Sequence, residues 1–165
     1  MKRLESFEGT LGMKSFVSSS PGETIELGGE IGALLPAGTV MSLEGGLGAG
    51  KTLLAKGICA GLGVRGEVVS PSFILVEEYA GDLPVMHFDL YRLELVQEVL
   101  DIGLLDAMDG RNVVIVEWGD KLPEGMLQPD IKIVLRITGE GEREISIEAP
   151  GPFLDSLQGV TGDTG

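Results

Sequence analysis

The run GGLGAGKT at residues 45–52 satisfies G-x-x-x-x-G-K-[ST] through Gly45, Gly50, Lys51 and Thr52. Each residue type has a chemical reason to be there. Glycines permit positive φ and close approach of the backbone. Consecutive backbone N–H groups then turn inward and form an anion nest. A helix beginning near Lys51 adds the positive end of its dipole. The Lys51 ammonium is placed to meet the β- and γ-phosphates of a nucleotide, and the Thr52 hydroxyl to bind Mg²⁺. With 26 glycines in the chain, a chance match has to be weighed. The run lies between a strand-like and a helix-like segment, as the function requires, which argues against chance. The expected chemistry is binding and hydrolysis of ATP with Mg²⁺.

Such a site needs acids beyond the loop, one on the Mg²⁺ side and one to orient the attacking water. Asp89 follows the strand-like Pro84–Phe88, and Glu117 follows Asn112–Val116. Ligands of an open α/β sheet collect at the carboxyl ends of its strands, so both acids are candidates. Spacing alone does not assign their roles. Glu117 is preferred as the Mg²⁺-side acid because VVIVE is the more apolar strand, leaving Asp89 to orient water or act as base. Glu44, Asp101 and Asp106 are read as structural or solvated.

The elements that must carry these residues are legible in outline. A short strand is expected near Lys14–Ser18. Ser20-Pro21-Gly22-Glu23 has the form of a capping box, opening a helix to about Leu35. Gly28 and Gly29 weaken that helix on propensity. Thr39–Glu44 reads as a buried strand before the loop, and Lys51–Leu62 as the helix after it. Residues 67–80 and 84–88 are strand-like. Glu94–Asp109 reads as one or two helices broken at Gly103, and Asn112–Glu117 as a strand. Ile131–Ile137 and Arg143–Glu148 alternate in polarity and predict a β-hairpin at a sheet edge. The sum is an α/β domain of the P-loop NTPase type: a three-layer sandwich whose central sheet is parallel near the loop. The single domain is expected over residues 13–158, with loose edges at 1–12 and 159–165.

Composition narrows the setting. The 165 residues are 43% apolar, enough for one domain with a real core. No apolar run approaches the ~18–20 residues of a membrane span, and MKRLESFEGTLG lacks the apolar stretch of a secretory signal. Cys59 is the only cysteine, so no internal disulfide is available. A cytoplasmic protein is expected. Twelve Lys and Arg against 26 Asp and Glu give a net charge of −14 without any basic run. Such a chain is repelled by phosphate backbones except at a local site. If RNA is involved, another protein is expected to hold it. The plainer reading is that the acidity aids solubility.

LEGGLGAGKT (43–52), SPSFILVEEY (70–79), HFDLYRL (87–93) and VEWGDKLP (116–123) together resemble the TsaE (YjeE) family across roughly residues 14–150. That family is required for threonylcarbamoyladenosine formation at position 37 of tRNA. The resemblance implies a weak ATPase that acts on a TsaB–TsaD complex and resets it between turnovers. It implies nucleotide contacts from Gly45, Gly48, Ala49, Gly50, Lys51, Thr52 and Leu53, with Trp118 against the adenine base. Lys51 and Asp89 would be catalytic, and Glu117 both catalytic and, with Thr52, on the Mg²⁺ side. Ser70–Phe73, including Ser70 and Ser72, would form a switch segment near the γ-phosphate. The sequence departs from the family pattern at Gly46, where an acid is usual, at Ser72, where threonine is, and at Leu53, where a second threonine often follows.

Other residues have plainer readings. His87, the only histidine, is expected to be a packed or hydrogen-bonded strand residue. Arg92 is expected in structural pairing or partner contact, ahead of an arginine finger. Cys59 is expected in the core. Two further functional classes share the loop. One is a nucleotide-gated binding module in which hydrolysis is secondary. The other is a small-molecule kinase, against which stands the lack of an arginine-rich lid segment.

Overall fold

The computed structural model describes residues 3–68 and 75–158. The element order is β1 (Leu11–Ser18), α1 (Pro21–Leu34), β2 (Val40–Glu44), α2 (Lys51–Gly61), β3 (Val76–Ala80), β4 (Pro84–Asp89), α3 (Val96–Asp101), α4 (Leu104–Ala107), β5 (Val113–Glu117), β6 (Ile131–Gly139), β7 (Glu142–Pro150) and α5 (Gly151–Ser156). One seven-stranded sheet has the order β1-β7-β6-β2-β5-β4-β3. Strands β6, β2, β5 and β4 run parallel, while β7, β1 and β3 pair antiparallel with their neighbours. This is the expected α/β sandwich.

Two cores cover the two faces. Strand side chains alternate between faces, and β5 shows the division. Val113 and Ile115 join the core under α1 and α2, with Leu27, Ile31, Leu54 and Ile58. Val114 and Val116 join the opposite core, with Val99 and Leu104 of α3 and α4. Each such side chain contributes about 1.5–3 kcal/mol by leaving water.

Helix α1 starts as the capping box predicts. Ser20 accepts the Glu23 N–H at 3.1 Å, and the Glu23 carboxylate returns to the Ser19 N–H at 2.6 Å, one residue before the cap. The glycines that weaken α1 on propensity have a packing reason. A Cβ on Gly28 would come within 2.7 Å of the Leu54 carbonyl oxygen, and one on Gly57 within 2.3 Å of that of Ile25. The missing side chains let α1 and α2 approach backbone to backbone. Gly103, at φ +82°, separates α3 from α4 as expected.

Two expectations need correction, and one helix was not anticipated. The β6–β7 hairpin is not at the sheet edge, because β1 pairs with β7 from Arg143 to Pro150 and becomes the edge strand. Order begins well before Met13. Strand β1 starts at Leu11, the Leu4 N–H donates to the Leu34 carbonyl, and Phe7 meets Phe153 edge-on at 5.7 Å. Those aromatic anchors lie far apart in sequence, so local polarity at 1–12 does not reveal them. Helix α5 escaped the sequence reading because it is a single short turn bearing Phe153 and Leu154, too short for a helical period to show. Residues 159–165 lie outside the described residues, as does most of the first half of the strand-like stretch 67–80.

Candidate functional site

Strand β2 delivers the phosphate loop directly into α2. Gly45, Gly48 and Gly50 take φ of +146°, +75° and +107°, so three positions of the loop use backbone freedom that L side chains rarely have. Gly50 is the left-handed N-cap of α2. Gly46 does not share this constraint, and a Cβ there would meet nothing within 4 Å. The acid usual at that position would have room.

The acids reach the loop through register. Parallel pairing sets Asp89 of β4 beside Glu117 of β5, and His87 beside Ile115. Ile115 faces the α2 side, so Glu117, two residues on, faces α2 as well. There the Thr52 hydroxyl donates to Glu117 Oε1 at 3.1 Å. His87 Nε2 lies 2.6 Å from the other carboxylate oxygen, Oε2. Asp89 Oδ1 accepts the Tyr91 N–H at 2.9 Å, which fixes its carboxylate at the strand end. Lys51, Asp89 and Glu117 are each 5% exposed or less.

Lys51 Nζ donates to the Gly45 and Gly46 carbonyls at 2.7 and 2.8 Å. Burial lowers its pKa below that of an ordinary lysine, opposed by the negative charges of Glu117, Asp89 and Asp120. The Trp118 ring lies against this ammonium, 4.1 Å from Nζ to the ring centroid, a cation–π distance. Tyr91 also packs against the indole, with centroids 5.0 Å apart and the rings tilted by 38°. Trp118 holds this place at φ +65°, a left-handed backbone rarely used outside glycine. The indole expected against the base therefore meets Lys51 of the loop.

Gly48, Gly50, Lys51, Thr52, Leu53, Asp89, Glu117 and Trp118 all line one open cleft of about 470 Å³, together with Leu47, Lys56, Tyr91 and Arg92. Gly45 contributes its carbonyl to Lys51. Ala49 is buried behind the loop. Ser70 and Ser72 lie outside the described residues. Glu44 stands apart from the cleft, 3.7 Å from Lys132. Its pKa is raised by burial, against the pull of Lys132. Asp101 accepts from Gln97 on α3, and Asp106 is exposed, in keeping with structural or solvated acids.

The oxygen donors of Thr52 and Glu117 suit Mg²⁺, which binds through one or two protein oxygens and keeps its other positions for water and phosphate. Among the described residues no group of three or more His, Cys, Asp or Glu forms an all-protein metal cage. Also among them, no helix is long and apolar enough to cross a membrane.

Sequence reasoning did not find two contacts. His87 is expected as a packed or hydrogen-bonded strand residue, and the structure supplies its partner, Glu117. The only signal for that partner was its position two residues before Asp89, on the same strand face. The other contact reaches the loop from the far end of the chain, where Arg143 of β7 donates to the Gly48 and Ala49 carbonyls. No motif marks it.

The family described as "Threonylcarbamoyl adenosine biosynthesis protein TsaE" matches residues 18–145. A Treponema pallidum protein named tRNA threonylcarbamoyladenosine biosynthesis protein TsaE is 38% identical over 131 residues, covering 79% of this chain and 97% of that protein. The Bacillus subtilis protein of the same name is 41% identical over 139 residues, covering 84% and 87%. The crystal structure of Bacillus subtilis YdiB superposes with a TM-score of 0.73 at 33% identity, covering 91% of this chain and 94% of that one. With the phosphate loop, both strand-end acids and the tryptophan gathered in one cleft, this chain belongs to the TsaE family.

Proposed function

We propose that this protein binds MgATP in the cleft, hydrolyses it slowly, and uses that cycle in threonylcarbamoyladenosine modification of tRNA at position 37. The contact that carries the reading is Thr52 to Glu117, at 3.1 Å. It joins the last residue of the loop to the acid at the end of β5, the pair of oxygens that a nucleotide-bound Mg²⁺ needs.

The residues divide the work. The loop N–H groups and the α2 N-terminus hold the phosphates. Lys51 exchanges its carbonyl partners for phosphate oxygens, and Trp118 screens its charge from solvent on one side. Thr52 and Glu117 hold Mg²⁺, which when bound neutralises charge building on the phosphates. Asp89 sits at the adjacent strand end, where it orients water or takes its proton. The names of the relatives support the pathway. A net charge of −14 supports a protein that leaves tRNA to partners. Those partners are TsaB and TsaD homologues, and the site of action is the cytoplasm.

The deciding experiment is multiple-turnover formation of threonylcarbamoyladenosine in vitro with TsaB and TsaD homologues, with and without this protein. Product accumulation beyond one turnover is expected to depend on it, and phosphate release to rise when the partners are added. No rise with cognate partners would sink the partner assignment. Label moving from the γ-phosphate to a metabolite instead of water would show a kinase.

A further inference from the structure

The back of the phosphate loop is closed by the C-terminal hairpin. The Leu135 carbonyl of β6 lies where a Cβ on Gly45 would come within 2.5 Å. The Leu135 side chain lies 3.6 Å from a Cβ built on Gly50. From β7, Arg143 reaches across the loop itself. Its Nε donates to the Ala49 carbonyl at 3.2 Å, and its Nη2 to the Gly48 carbonyl at 3.3 Å. Nη1 donates to the neighbouring Glu142 carbonyl at 3.0 Å, which fixes the plane of the guanidinium.

Topology explains how so distant a residue arrives there. Strand β6 is parallel to β2, so both end at the loop side of the sheet. Strand β7 is antiparallel to β6 and therefore begins there, with Arg143 opposite Ile137. Arg143 alternates with Ile145 and Ile147, which pack in the α1–α2 core, so it shares their face. The acids on either side of Arg143 are engaged elsewhere. Glu144 pairs with Arg136 at 3.1 Å, and Glu142 accepts from Thr138 at 2.8 Å. The guanidinium charge is thus directed to the loop carbonyls.

In an anion nest the N–H groups face the phosphates and carbonyls are left pointing away. The Ala49 carbonyl that Arg143 holds belongs to the peptide unit carrying the Gly50 N–H, and the Gly48 carbonyl to the unit whose Ala49 N–H closes a turn on the Gly46 carbonyl at 3.2 Å. A charged donor on the carbonyl side fixes both units and polarises the Gly50 N–H toward an anion on the other side. We propose that Arg143 is a positioning residue for nucleotide binding, acting through the Gly48–Ala49 backbone and not on the phosphates directly. This rests on the reading of residues 45–52 as a nucleotide site. Its ligand class is any nucleoside polyphosphate whose β-phosphate occupies the nest, so ADP and ATP should depend on Arg143 alike.

The test compares the native full chain with Arg143→Ala and Arg143→Lys. MgADP and MgATP affinities are measured by calorimetry, kcat by phosphate release at saturating ATP, and the melting midpoint without nucleotide. The expected result is an Arg143→Ala protein whose dissociation constants for both nucleotides rise about tenfold together, the loss of roughly one charged hydrogen bond. Its kcat should stay within about twofold of native, and its nucleotide-free midpoint within a few degrees. Arg143→Lys should lie between, because an ammonium lacks the planar fork that spans two carbonyls. Unchanged affinities would overturn the proposal. So would loss confined to ATP, which would place Arg143 on the γ-phosphate. A nucleotide-free midpoint that falls in parallel with affinity, and returns with it in Arg143→Lys, would reduce Arg143 to a tether of the hairpin. If the native chain binds neither nucleotide, the nucleotide-site reading itself fails. Native binding with an indifferent Arg143→Ala removes only the role of Arg143.

Discussion

His87 Nε2 and Glu117 Oε2 lie 2.6 Å apart, with the imidazole fully buried. The other carboxylate oxygen accepts from Thr52. Glu117 is thus held from behind by β4 and from in front by α2. On the proposal that Glu117 helps hold Mg²⁺, His87 is the group that orients it, and losing such a group typically changes metal affinity or activity about 10–100-fold. His87→Ala is therefore expected to lower Mg²⁺-supported hydrolysis by about 10–100-fold. It should raise the Mg²⁺ concentration needed for half-maximal rate, while ADP binding without metal changes little. His87→Gln, which keeps an N–H donor near the same place, should recover part of the loss. A Mg²⁺ titration of phosphate release for the three proteins checks this, and an unshifted titration in His87→Ala would count against it.

Asp89 and Glu117 are neighbours in register but have different partners. Asp89 is fastened to the Tyr91 N–H, and Glu117 to Thr52 and His87. Their isosteric amides should therefore fail differently. Glu117→Gln is expected to shift the Mg²⁺ requirement upward. Asp89→Asn should keep the native Mg²⁺ requirement and nucleotide affinity, yet lose about 10²–10⁴-fold in kcat, the usual range for a missing base. Phosphate release measured across Mg²⁺ concentrations separates the two. The reverse pattern would exchange the roles.

The loop, both acids and the parallel centre of the sheet were legible in the sequence because each rests on local pattern. GGLGAGKT is contiguous, and VVIVE announces a buried strand followed by its acid. What was hidden depends on pairing between distant segments. That β1 covers β7 could not be read from alternation, since Leu11–Ser18 and the hairpin each resemble an edge strand in isolation. Gly28 counts against α1 on propensity alone, and its packing reason, Gly57 opposite it, belongs to another helix. The placement of Trp118 was hidden for another reason, because its positive φ turns the ring toward Lys51 and no residue type signals that.

The glycines of the chain should differ sharply in what they tolerate. Gly57 faces the Ile25 carbonyl so closely that an added Cβ would come within 2.3 Å, whereas one on Gly46 would meet open space. Gly57→Ala must push α2 away from α1. It is expected to destabilise by about 1–3 kcal/mol or more, as overpacking does. Because α2 carries Lys51 and Thr52 at its start, nucleotide affinity should fall with it. Gly46→Ala is expected to stay within about 0.5 kcal/mol of native. Urea denaturation of both variants checks the contrast, and equal stabilities would contradict the helix contact.

Cys59 lies on the buried face of α2, and burial pushes its thiol up to about 12 from an ordinary 9.0. Above pH 9 the unfolded chain releases this proton while the folded chain retains it. The unfolded state then binds fewer protons, so stability falls as pH rises. The loss begins near the unfolded value and is complete once pH passes the folded one. Cys59→Ala should therefore be somewhat less stable than native at pH 7, for its smaller side chain, and should close that gap between pH 9 and 11. In the same range the native thiol should resist alkylation unless denaturant is added, because the thiolate is the nucleophile. Urea midpoints of the two proteins at pH 7, 9 and 10.5, with iodoacetamide labelling alongside, make the check. A constant gap together with rapid native labelling would show that Cys59 is not shielded as its position in α2 requires.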